Sequence, residues 1–258
     1  MNAPFFLQAN PLWFTLIVFL SHLLRYALVA GLFFGVWYGW KKKDRLARKI
    51  QQRLPKNKDY QREILYSLGT VLVFTGITLI MTQPAVRQYT LVYTRWTDYS
   101  TAYGVASFFG LILFHDTYFY WTHRAMHDPR LFKIVHLVHH KSTNPSPWAA
   151  YAFHPIEAIV EAAIVPLSMF IMPLHPLTIF VFLVFMIIYN VYGHLGWELY
   201  PKNFNRHWLG KWLNTSVNHN QHHQFFTGNY GLYFRWWDEW MGTTRADYDA
   251  AFDRVAGK

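Results

Sequence analysis

The sequence predicts an all-α integral membrane protein of about three spans plus a helical hairpin, with a histidine-rich cap facing the cytoplasm. Three observations carry this. Of 258 residues, 53% are hydrophobic and 20% aromatic, more apolar surface than one water-soluble core of this length absorbs. Ten Lys or Arg crowd between Lys41 and Arg62 against only Asp44 and Asp59. The stretch "HRAMHDPRLFKIVHLVHH" (123–140) puts five histidines into eighteen positions.

The first apolar segment runs from about Pro11 to Trp40, room for the roughly 20 residues of a span plus tilt. "SHLLRY" interrupts it with His22 and Arg25, read as snorkelling or paired near one end. It closes on "GVWYGWKKK", an aromatic belt followed by a lysine stop. The basic loop 41–62 falls in the cytoplasm by the positive-inside rule. "EILYSLGTVLVFTGITLIMTQP" (63–84) is a second span ending at Pro84, and the loop to about Tyr103 holds only Arg87 and Arg95 as bases. "YGVASFFGLILFHDTYFYWT" (103–122) is a third, returning to the basic side and delivering His123 there. Two further apolar runs, 158–174 and 175–193, are divided by Pro173 and Pro176 and read as a hairpin that enters and leaves on one face. Residues 194–258 are polar, aromatic and basic. No signal peptide, tandem repeat or low-complexity tract is expected.

The formal charge of +10 suits nucleic acid in principle, but the basic run sits between apolar segments, so membrane topology accounts for it and no nucleic-acid partner is expected. With no cysteine there is neither disulfide nor thiolate metal site, which leaves histidine and carboxylate as ligands. His123 and His127 lie one helical turn apart on one face. "HLVHH" sets His136 beside His139 and His140, and "HNQHH" repeats that arrangement with His219, His222 and His223. Each cluster can aim two or three imidazoles at one point, as first-row metals require. Between them lie His154 in "FHPIE" and His194 in "GHLGWE". His22, His175 and His207 stand alone and read as ordinary structural histidines. His115, about 12 Å before His123 along a helix, fits a ligand, a supporting or a substrate-facing group.

"HExxH" and Glu-x-x-His are both absent, against the common zinc-peptidase and four-helix carboxylate di-iron signatures. Nine or ten imidazoles exceed one ion's coordination, so the cap is read as a di-metal site. Two divalent ions among neutral imidazoles call for nearby negative charge. Glu198, four residues after His194 on an expected helical face, is the candidate tenth ligand. Glu157, Glu161 and Asp238 are candidate supports behind the ligands, and Asp128 reads as a turn acceptor. The aromatic stripe 118–121 and Trp236, Trp237 and Trp240 read as interface anchors or the lining of an entry. Gly231 is read as permitting a chain reversal.

The segments "HDTYFYWTHRAMH", "HLVHHKS", "FHPIE", "GH", "NHNQHH" and "NYGLYFRWWDEWMGT", in this order over roughly residues 110 to 245, resemble the membrane-bound fatty acid hydroxylase/sterol desaturase superfamily. "THRAMHDPRLFKIVHLVHHKS" and "AFHPIE" look closest to its C-5 sterol desaturase-like branch. The resemblance implies a non-haem di-iron centre that uses dioxygen to hydroxylate or desaturate an aliphatic position of a lipid. It implies metal ligation by His123, His127, His136, His139, His140, His219, His222 and His223, joined by His194. Members often place a further histidine just after the position of His194, where this chain has Glu198. The domain plan that follows is 1–102 for the N-terminal membrane helices and basic loop, 103–245 for the hydroxylase/desaturase-like catalytic domain, and 246–258 for a tail.

Zinc is expected to substitute for iron on expression, since imidazole sites bind it well. The expected partners are a membrane lipid as substrate and an external electron donor of the reductase, ferredoxin or cytochrome b5 type. The expected location is a bacterial inner membrane or the endoplasmic reticulum, with the active site toward the cytoplasm. A histidine-rich metal transporter and a haem-type electron carrier are the alternatives. The first would set its ligands near mid-membrane, and the second needs only a few axial histidines.

Overall fold

Asn10 opens the first described helix: its side-chain oxygen accepts from the Leu12 amide at 2.9 Å, and Pro11 takes the first helical position. In the computed structural model, which describes residues 10–40 and 46–256, this helix is α1 (Pro11–Phe34), prolonged by a π-helical turn, Gly35–Gly39. It is followed by α2 (Asn57–Thr82), α3 (Thr101–Met126), α4 (Pro129–Val135), α5 (Leu137–His140), α6 (Pro155–Ala162) and α7 (Ile164–Ile171). Then come α8 (Pro176–Gly193), α9 (Ser216–Phe225), α10 (Trp236–Trp240) and α11 (Tyr248–Ala256). Among the described residues there is no strand, only isolated bridges such as Lys49 with Trp197. The lysine stop at 41–43 lies outside the described residues.

Among the described residues, three segments are long and apolar enough to cross a membrane: Pro11–Gly39, Asn57–Thr82 and Pro176–Gly193. Their outward faces carry Leu28, Leu65, Leu72 and Ile80, all exposed, as a lipid-facing surface requires. The expected third span, 103–122, is an unbroken helix but is not one of these three. Its inner face buries Ser107, His115, Asp116 and His123, which dilute its apolar character. The hairpin's first arm is also not a single rod. Pro166 has no amide to bond the Ala162 carbonyl, and the arm divides into α6 and α7.

The long helices run between two ends. At one, the loop after α2 meets the hairpin tip: Leu91 N donates to Met169 O at 2.8 Å and Tyr93 N to Leu174 O at 3.2 Å. At the other, the basic loop is tied to the histidine segments. Ile50 N donates to Gly196 O at 3.0 Å, and Gln51 Nε2 donates to Thr143 O at 2.8 Å and Asn220 Oδ1 at 3.0 Å. Basic loop and histidines therefore share one end, as the charge pattern predicts.

Tyr26, Val71, Phe74, Tyr151 and Val191 join α1, α2 and α8 in one core. Leu111, Phe119, Phe182 and Tyr233 join α3, α8 and the loop before α10 in another. The residues expected as a tail form α11, whose Tyr248, Phe252 and Val255 pack on Val217 of α9.

Candidate metal centre

The nine histidines singled out by the sequence converge into two groups. His123, His127, His136, His140 and His222 form the first, and His139, His194, His219 and His223 the second. Within each group the ligand nitrogens lie within 4.8 Å of one another. All are buried except His127, which is partly exposed. Helix geometry explains the sorting. Residues four apart share a face, so His123 goes with His127, and His219 with His223. Adjacent residues point about 100° apart, so the pairs His139–His140 and His222–His223 each send one ring to either group.

Each element is held locally. Asp128 Oδ1 accepts from Arg130 N at 2.9 Å, so Asp128 caps α4 and the chain turns between His127 and His136. Thr215 Oγ1 accepts from Asn218 N at 3.1 Å and starts α9. α9 ends at Phe226, held in the left-handed region at φ 66, with its ring against His140.

The ring nitrogens facing away from each centre fix the chemistry of those facing in. Nδ1 of His123 donates to Tyr230 O at 2.9 Å, Nδ1 of His194 to Asn190 O at 2.8 Å, Nδ1 of His222 to Gly228 O at 2.8 Å and Nδ1 of His223 to Ser142 O at 3.0 Å. A carbonyl only accepts, so these Nδ1 atoms carry the proton and each Nε2 presents a lone pair. Yet Nε2 of His194 and Nε2 of His223 lie 3.1 Å apart, and His219 Nε2 lies 3.1 and 3.2 Å from them. The one proton that His219 can bring satisfies one of these three contacts at most. Two imidazole nitrogens bound about 2.1 Å from a shared ion stand about 3.0 to 3.4 Å apart. The spacing fits a cation at the centre. In the first group His123 Nε2 is 3.0 Å from His136 Nε2, while Nε2 of His127, His140 and His222 are buried without a hydrogen-bond partner. The donors are all imidazole, a set that suits Fe, Zn, Cu or Ni.

Burial in mutual company keeps these rings neutral: it pushes His123 and His194 down to about 4 and His136, His219, His222 and His223 well below the ordinary imidazole value. His136 Nδ1 is 2.6 Å from Glu157 Oε1. Burial pushes that carboxyl up and the imidazole down, so without a cation the pair is neutral as a unit. A cation on Nε2 favours Nδ1–H donating to an ionised Glu157.

Glu198 is in neither group. It is buried, with Oε1 accepting from the Tyr192 hydroxyl at 2.9 Å and Tyr200 N at 3.0 Å, and Oε2 from Val217 N at 3.0 Å. The helical spacing proposed between His194 and Glu198 does not exist. α8 stops at Gly193, His194 is its C-cap, and Gly196 turns the chain at φ 77. Glu198 instead pins the start of α9.

The other candidates also separate. His154 and His175 cap α6 and α8 through Nδ1, His207 is exposed, and His22 bonds Arg25 and Thr78. His115 Nδ1 is 2.9 Å from the Tyr233 hydroxyl, outside both groups. Asp238 touches no histidine. It accepts from Tyr230 N and Gly231 N, both at 2.8 Å, and so holds the loop whose Tyr230 carbonyl orients His123. Gly231 is needed for close approach rather than reversal, since a Cβ there would strike Phe234 O and the Asp238 carboxylate. Asp116 was not singled out, yet it accepts from Tyr233 N, Phe234 N and Trp236 Nε1 at 2.8, 3.1 and 2.7 Å, clamping this loop to α3. Its sequence signal was a carboxylate inside an apolar helix. Trp236 and Trp237 anchor to α3 through Asp116 and Thr117, while Trp240 is exposed.

The fatty acid hydroxylase family model matches residues 108–243, the segment that supplies all nine histidines. The chain belongs to the fatty acid hydroxylase family. Among curated relatives of this hydroxylase-family chain, a Delta(7)-sterol 5(6)-desaturase of Gibberella zeae is 32% identical over 186 residues, 72% of this chain and 56% of that protein. A second, from Aspergillus fumigatus, is 32% identical over 201 residues, 72% of this chain and 63% of its own length. The lathosterol oxidase of Homo sapiens is 29% identical over 187 residues, 71% of this chain and 60% of that protein. The chain thus spans about six tenths of the length of these relatives. No solved structure matches it.

Proposed function

We propose that this protein is a membrane-bound di-iron oxidoreductase that uses dioxygen to hydroxylate or desaturate an aliphatic position of a lipid. The observation that carries the reading is the pair of convergent imidazole groups, in which the inward lone pairs of His194 and His223 face each other with no proton between them. The family match and the resemblance to sterol desaturases support a lipid substrate, which we take to be sterol-like, sphingoid or fatty acyl.

On this reading His123, His127, His136, His140 and His222 hold one iron, and His139, His194, His219 and His223 the other. Bound iron supplies the oxidising power that an unactivated C–H bond demands, which no side chain has. The chain positions and shields. Carbonyls of Tyr230, Asn190, Gly228 and Ser142 lock the rings, and Glu157 provides negative charge behind His136. Phe132 and Phe226 lie against His140, and Tyr230 against His127, keeping bulk water from the first group. The clusters sit at the basic-loop end rather than at mid-span, which favours this reading over transport. By the positive-inside rule that end faces the cytoplasm, where an external reductase, ferredoxin or cytochrome b5-type donor delivers two electrons per turnover. The neighbouring basic surface meets anionic lipid headgroups.

The balance is open to direct measurement. In hydroxylation one oxygen atom enters the lipid and one leaves as water. In desaturation both leave as water and the lipid loses two hydrogens. Turnover with labelled dioxygen and a reductant, followed by lipid mass spectrometry, separates the two. Lipid conversion undiminished without dioxygen would remove the oxidative reading.

A further inference from the structure

Between α1, α2, α7 and α8 lies a cavity of about 470 Å³, walled by apolar side chains such as Ile17, Phe74, Met81, Met169 and Leu183. That volume lies within the range of about 300–1,000 Å³ that takes one small lipophilic molecule, so it suits one lipid body rather than a two-chain lipid. At one end stand Thr82, Arg87 and Thr94, beside the loop that meets the hairpin tip. At the other stands Glu161 on α6. Glu157, one turn earlier and about 6 Å back along the axis, bonds His136 of the first metal group. The cavity therefore leads from the far end of the helices to within a turn of the metal support.

Arg25 projects into this cavity from the middle of α1, where a full charge is expensive without a counter-ion. No carboxylate among the described residues forms an ion pair with it. Its guanidinium is held in place: Nη2 donates to His22 Nδ1 at 2.7 Å, and His22 Nε2 donates to Thr78 Oγ1 at 3.0 Å. Its Nε is buried without an acceptor. The Tyr151 hydroxyl stands against the same guanidinium. A buried donor lacking an acceptor, at a residue that lines a cavity, calls for an oxygen from outside the chain. With Arg25 and Arg87 against Glu161, the lining suits an acceptor over an amine.

We propose that this cavity binds a single lipid molecule and that Arg25, oriented by His22 and Thr78, anchors an oxygen acceptor on it: the carboxylate of a fatty acid or the hydroxyl of a sterol. The choice of lipid rests on the proposed function; the cavity and its anchor do not. α1 and α2, which supply Arg25, His22 and Thr78, precede the family-matched segment.

The test uses the full chain in lipid nanodiscs with two photoreactive probes, a diazirine palmitate and a diazirine cholesterol, and maps adducts by mass spectrometry. Adducts from at least one probe are expected in peptides containing Met81, Met169 or Met186, suppressed by the unlabelled lipid. The probe that labels identifies the oxygen group. Arg25→Gln should cut that labelling by about tenfold or more, and Arg25→Lys should retain most of it, with metal content as in the wild type. Should Arg25→Gln not fold, the wild-type map and Arg25→Lys decide. Adducts confined to lipid-facing positions such as Leu28 and Leu72, or labelling indifferent to Arg25→Gln in folded protein, overturn the proposal. Cavity labelling without lipid oxidation would leave this site standing and remove the proposed reaction. Oxidation without cavity labelling would do the reverse.

Discussion

His194 and His223 face each other Nε2 to Nε2 at 3.1 Å while the far nitrogen of each ring donates to a main-chain carbonyl. Two lone pairs are thus pressed together in a buried site, an arrangement that a shared cation relieves. The protein should therefore purify with about two metal ions per chain, a count that follows from the two groups. His222→Ala should lower the first group's occupancy and His219→Ala the second's, each toward one ion, while His175→Ala keeps both. Elemental analysis of the three variants checks this. One ion per chain, unchanged in both cluster variants, would rule out two centres.

Glu157→Gln removes the negative charge behind His136 while leaving an acceptor of the same shape. Affinity at the first group should fall by about 10- to 100-fold, with the second group unaffected. Competition against a chelator of known affinity reads this directly. Equal retention in both groups would reduce Glu157 to packing.

Glu198 gives the contrasting case. Its carboxylate satisfies two amides and a hydroxyl and meets no ring of either group. Glu198→Ala should destabilise the protein by about 3 kcal/mol by orphaning buried donors. The folded fraction should still hold two ions per chain. Thermal denaturation paired with metal analysis distinguishes the outcomes; loss of an ion from stable protein would restore Glu198 to the centre.

Acid should act in a defined direction. Burial holds His123 and His194 at about 4, below the 6.5 of a free imidazole. As pH falls below about 6.5 the unfolded chain takes up protons first, so the metal-free protein loses stability down through about 4 and is at full stability above 6.5. Metal-loaded protein should resist until protons displace the ions. Melting curves from pH 8 to pH 5, with and without chelator, check the sign. A metal-free curve that rises on acidification would contradict it.

Topology is testable because the chain has no cysteine. Gln51 and Asn214 are poor labelling sites, since one bonds Thr143 and Asn220 and the other is buried. Lys58, Lys202 and Thr97 are exposed. Lys58→Cys and Lys202→Cys should be protected from an impermeant maleimide in intact cells, and Thr97→Cys labelled. The opposite pattern would invert the orientation.

Composition and spacing alone determined the helical membrane architecture and eight clustered histidines, because apolar run length and repeated His-x-x-His-His clusters are properties of the chain itself, while His194 joined them through the family resemblance. Which ring joins which centre was partly legible, since helix periodicity sends neighbours 139 and 140 to different sides. Only the tertiary structure decided the rest. The backbone leaves the helix after Gly193, so the spacing of His194 and Glu198 carried no shared face. The carbonyls of Tyr230, Asn190, Gly228 and Ser142 have no sequence signature, because every residue has one and only the path of the chain aims it. The same holds for Arg25. As an isolated charge in an apolar run it suggested snorkelling or a partner near one end; it does pair with His22, and the packing of α1 against α2 and α8 turns it toward a cavity.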